Sequence, residues 1–124
     1  MCGVLTESFS STTINMLLAH MYVDGSETSR SEREIHIAKP YAVSPQRFPS
    51  TAHYIALGHL HRPQSVGASH IRYSGAPLAF TFDEETCAKS LSLVELDADG
   101  RAEVSLIPIT PKSAIVSMAF CGPS

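Results

Sequence analysis

The run Tyr54-Ile55-Ala56-Leu57, stopped at Gly58 and followed by His59-Leu60-His61-Arg62-Pro63, constrains this chain more than any other stretch. Strand-forming residues cut off by a glycine make a short buried strand, because the run is too brief for a stable helix. Proline lacks an N–H donor, so Arg62-Pro63 stops any regular continuation. The run Ile14-Asn15-Met16-Leu17-Leu18-Ala19-His20 has the same form: short, mostly apolar and ended by a polar residue, as in a buried strand. Two strands therefore deliver histidines at their carboxyl ends. In layered α/β architectures ligands and metals collect at that edge, since rigid strands fix the first loop residues.

The rest of the chain is punctuated like a strand-rich domain. Asp24 to Arg33 is polar and charged, as in a loop, and Ser44-Pro45 can begin one helical turn within Val43 to Pro49. Ile71-Arg72-Tyr73 reads as a third short strand, closed by the turn-forming Ser74-Gly75-Ala76-Pro77. Ser90 to Leu96 alternates polar and apolar residues, Asp97-Ala98-Asp99-Gly100 supplies a turn, and Ala102 to Ile109 returns, which predicts a hairpin. Residues 14–111 form the expected domain. The flanks 1–13 and 112–124 lack caps or periodicity, and both ends read as cuts.

At 124 residues, 44% hydrophobic and 17% charged, the chain has the composition of one ordinary globular domain. Its formal charge of −3 leaves no electrostatic footprint for nucleic acid, so a DNA substrate would need another component to help hold it. Cys2, Cys87 and Cys121 are far apart and in no C-x-x-C arrangement, which argues against a disulfide framework or zinc knot. They read as small buried apolar residues. No apolar run approaches the roughly 20 residues of a membrane span, and the N-terminus lacks signal-peptide form. The expectation is a soluble, cytoplasmic protein with no membrane partner.

Histidines at i and i+2 after a strand can present both imidazoles on one side of a loop, and Gly58 removes a Cβ where the backbone must approach another group. Neutral imidazole is a common ligand for zinc, iron or manganese, and a histidine from a neighbouring strand could complete one face of a site. The spacing alone is weak: six histidines in 124 residues give roughly 0.3 such pairs by chance. The strand end and the whole Gly-His-Leu-His-Arg-Pro run carry the signal. His36, His53 and His70 have no such context and read as surface or satisfied histidines. Asp97 and Asp99 lack the distal ligands of a calcium loop and read as turn residues.

The segments Asn15 to His20, Tyr54 to Gln64 and Arg72-Tyr73-Ser74-Gly75-Ala76-Pro77-Leu78, in this order, resemble the SbcD family, the nuclease component of SbcCD, among the calcineurin-like metallophosphoesterases. The resemblance runs from about Ile14 to about Pro111. It implies an α/β (α+β) fold class: the strand-rich C-terminal part of a four-layer β-sandwich with a dinuclear centre, usually manganese, at the strand ends. Carried over by position, His20 and His59 correspond to ligands of one metal and His61 to a ligand of the other. The resemblance also implies DNA as substrate, in double-strand-break repair and recombination, an SbcC-type coiled-coil ATPase subunit as partner, and a homodimer. The family's Asp-x-His, Gly-Asp and Gly-Asn-His motifs do not occur in this sequence, so the chain by itself is expected to be inactive.

Two other readings stand beside this one. Another calcineurin-like phosphatase or phosphodiesterase would share the histidines but not the Tyr73 to Leu78 segment. A non-catalytic binding module would use the hairpin region, Lys89 to Ile109, to dock a partner.

Overall fold

The computed structural model describes residues 6–29, 42–84 and 87–110. His36, Cys2 and Cys121 lie outside them, as do Arg30 to Arg33 at the end of the expected loop. Among the described residues six strands are formed: β1 (Met16–His20), β2 (Tyr54–Gly58), β3 (Gln64–Val66), β4 (Ala68–Tyr73), β5 (Ser90–Leu96) and β6 (Ala102–Pro108). Helical structure among the described residues is limited to two 3-10 turns, Pro45–Arg47 and Phe82–Glu84. The first is the turn expected after Ser44, with proline at its start.

Strands β1 to β4 make one mixed sheet in the order β1-β2-β4-β3, and β5 and β6 make a separate hairpin. β1 and β2 run parallel with Leu17 beside Ile55 and Ala19 beside Leu57. β2 and β4 continue the pattern, with Ile55 beside Ile71 and Leu57 beside Tyr73. Side chains alternate faces along a strand, so Leu17, Ile55, Ile71, Ala19, Leu57 and Tyr73 stack on one side. That side is the core: Ile55 and Tyr73 are fully buried, Val23, Phe48 and Leu60 pack in from the connections, and Val66 of β3 joins them. Each fully buried aliphatic or aromatic side chain contributes about 1.5–3 kcal/mol, enough for this cluster to dominate the fold.

The starts of β1 and β2 are pinned together. Asn15 donates its backbone N–H to His53 Nδ1 at 2.9 Å and accepts from the His53 N–H at 2.8 Å. Its side-chain amide donates to the Ser10 and Thr51 carbonyls, which satisfies this buried polar group. His53 is thus a satisfied structural histidine. The hairpin's tip reaches this point, since buried Gly100 lies against the His53 ring. At the other end Ser90, Leu106 and Pro108 share a cleft with Arg62 and Pro63, so the hairpin meets the chain both before β2 and after it.

The expected hairpin is present in full, with Leu93 opposite Ser105 and Glu95 opposite Glu103. Asp97 closes its turn by accepting from the backbone N–H groups of Asp99 and Arg101. Strand β3 departs from the sequence pattern. Arg62-Pro63 does interrupt regular structure, yet the chain resumes at Gln64 and pairs antiparallel with β4.

Candidate functional site

Parallel pairing in register sets His20 opposite Gly58, so the two carboxyl-terminal strand ends lie side by side. The His20 ring packs over Gly58, where a Cβ would fall 2.9 Å from its Nδ1. Only glycine admits the ring so close to the neighbouring strand. The next residue, His59, is held at φ 104°, a backbone conformation that side-chain-bearing residues adopt at a cost of roughly 1–3 kcal/mol. It brings the His59 ring to 5.3 Å from that of His20, centre to centre, with the planes inclined at 64°.

β3 lies beyond β4 in the sheet, so the loop from β2 to β3 must cross the carboxyl end of β4. This crossing explains the segment after Tyr73. Ala76 donates its N–H to the His61 carbonyl at 3.0 Å, and Gly75, at φ 81°, packs against Pro63 where a Cβ would collide at 2.7 Å. Tyr73 secures the other side. Its hydroxyl accepts from the Val23 N–H and donates to the Met21 carbonyl, both at 2.9 Å, tying the chain after His20 to the end of β4. Burial pushes this phenol above its ordinary range, partly offset by its hydrogen bond to the Val23 backbone.

His61 is oriented differently. Its Nδ1 lies 2.9 Å from Oε1 of Glu84, a carboxylate that is only 2% exposed. Ser29 Oγ donates to the same oxygen at 3.1 Å. The other oxygen, Oε2, accepts from the Phe80 N–H at 3.1 Å and from the buried Lys89 ammonium at 3.2 Å. A buried carboxylate is tolerated only when paired and hydrogen-bonded in this way. Phe80 also packs on the His61 ring at 5.0 Å. An open cleft of about 330 Å³ adjoins this group, lined among others by His61, Arg62, Glu84, Cys87 and Lys89.

Of the three candidate histidines, His20 and His59 are therefore paired, while His61 is turned to Glu84 through one ring nitrogen. Among the described residues no three His, Cys, Asp or Glu side chains are gathered as a group able to hold a metal ion. Two of the three donors named in the sequence are brought together and the third is held apart from them. Two imidazoles adjoin, and a third is bonded through Nδ1 to a carboxylate, the arrangement in which ligating histidines are usually found. Sequence reasoning missed Glu84 and the part played by the Tyr73 hydroxyl. Glu84 stands 23 residues from His61, in the acidic run Asp83-Glu84-Glu85, where nothing in the sequence singles it out.

No family model matches the chain. Curated proteins do. The chain is 40% identical over 93 residues to SbcD, the D component of the nuclease SbcCD, from Bacillus subtilis, across 73% of this chain and 24% of that protein. It is 30% identical over 107 residues to the SbcD protein of Staphylococcus epidermidis, across 86% of this chain and 28% of that protein. The Rhodobacter capsulatus SbcD protein is 40% identical over 93 residues, 74% of this chain and 22% of its own length. The chain thus spans about a quarter of the length of the curated relatives it matches.

Proposed function

Since this chain belongs to the SbcD family of nuclease SbcCD components, we propose that it is the histidine-bearing part of a metal-dependent DNA nuclease domain of the calcineurin-like metallophosphoesterase type. The observation that carries the reading is the adjacency of the two strand ends, which sets His20 against Gly58 and 5.3 Å from His59. His20, His59 and His61 are the residues that would hold metal, and the oxygen-rich ligands of the centre would come from outside this sequence. A pair of divalent cations, manganese in this reading, supplies the Lewis acidity for phosphodiester hydrolysis when bound. The chain's own residues hold imidazoles at fixed strand ends: Gly58 gives the His20 ring its room, and Tyr73 and Ala76 secure the segments that follow. DNA in double-strand-break repair and recombination is the proposed substrate and setting, in the cytoplasm, with a coiled-coil ATPase subunit as partner and a second copy of the nuclease subunit.

Calorimetric titration of the 124-residue chain tests this. Zinc should bind more tightly than manganese, because nitrogen donors favour zinc, and binding should be lost in the His20→Ala/His59→Ala/His61→Ala variant. The chain alone should show no manganese-dependent cleavage of DNA. Equal zinc binding by both proteins would overturn the ligand assignment, and cleavage abolished by His59→Ala would overturn the expected inactivity.

A further inference from the structure

We propose that Glu84 is a positioning residue, whose buried carboxylate holds His61 as the tautomer with hydrogen on Nδ1 and so makes Nε2 the ring's electron-pair donor. The role of Nε2 rests on the reading of His61 as a metal ligand; the tautomer does not. Nδ1 of His61 is 2.9 Å from Oε1 of Glu84, and an ionised carboxylate can only accept, so the ring nitrogen facing it must carry the hydrogen. The carboxylate cannot turn away. Its second oxygen is fixed by the Phe80 N–H and the Lys89 ammonium, and Ser29 donates to the first. Phe80 completes the arrangement, since its backbone anchors Glu84 while its ring packs on the imidazole of His61.

The sequence around Glu84 therefore serves the histidine loop from a distance. Lys89 is buried with Glu84 and supplies the opposite charge that lets the carboxylate remain inside. A hydrogen bond from the non-ligating ring nitrogen to a carboxylate fixes ring orientation and raises ligand basicity, and losing such a partner typically weakens metal binding about 10- to 100-fold.

Long-range proton–nitrogen NMR of His61 in the 124-residue chain, without added metal and at a pH where imidazole is neutral, reads the tautomer directly. The unaltered chain should show hydrogen on Nδ1. Glu84→Ala should lose that preference and bind zinc about 10- to 100-fold more weakly by calorimetry. Glu84→Gln has one accepting atom only: the Phe80 N–H and the Lys89 ammonium draw the amide oxygen, its NH2 group faces Nδ1, and the hydrogen should move to Nε2 with weaker zinc binding; it also serves if Glu84→Ala does not fold. Hydrogen on Nε2 in the unaltered chain, or an unchanged tautomer in folded Glu84→Ala, would overturn the proposal. Absence of zinc binding in the unaltered chain would instead sink the metal reading, and the tautomer comparison would still decide the role of Glu84.

Discussion

A methyl group at Gly58 would sit 2.9 Å from Nδ1 of His20, closer than such contacts occur. The atom it meets is the end of a flexible side chain, so the ring can swing aside while the strands stay paired. Gly58→Ala should therefore change stability by less than about 1 kcal/mol in urea unfolding. The spacing of His20 from His59 would not survive the movement, and a site loosened by a fraction of an ångström loses function before it loses fold. Zinc affinity should fall about tenfold, the scale of other disturbances around a ligand. Unchanged zinc binding with unchanged His20 resonances would show that the close approach has no bearing on the site.

Between β1 and β4 the Tyr73 hydroxyl bridges elements that share no strand pairing. Tyr73→Phe leaves the buried Val23 N–H without its acceptor and should cost about 1–3 kcal/mol. The same variant has a pH signature. Burial holds the folded phenol above 10.0, so the unfolded chain releases its proton first. The stabilisation is complete below pH 10 and is lost as pH rises through the folded value. Urea unfolding between neutral and alkaline pH should show a shallower alkaline decline in Tyr73→Phe. It should not vanish, because desolvation also raises the Tyr54 phenol despite the opposing charge of Arg72. Equal declines would mean that Tyr73 is not the group responsible. The strands around this bridge are legible in the sequence where pattern is strong: apolar runs ending in histidine, and alternation across an Asp-Ala-Asp-Gly turn. β3 is not, because Gln64-Ser65-Val66 has too little length or strand propensity to announce itself, and its pairing depends on β4. Glu84 is hidden for a related reason: its partners are set by tertiary approach, and nothing local distinguishes it from an exposed acid.

For the molecule as a whole, the sheet is closed on one face and largely open on the other near β1. Leu17 is 7% exposed while its neighbour Leu18 is 74% exposed, and Met16 is also exposed. Parallel strands are ordinarily covered on both faces, and β1 is in addition an edge of the described sheet. An uncovered apolar face beside an unpaired backbone edge is adhesive toward any extended chain that meets it. Leu18→Ser should leave unfolding free energy within about 0.5 kcal/mol and lower light scattering at high concentration. Unchanged scattering would place any self-association elsewhere, with the exposed Leu78, Phe80 and Phe82 next in line. The strand that presents His20 thus has two sides of different use: one is committed to the core, and the other, with Leu18, is where crowding of the chain should first be felt.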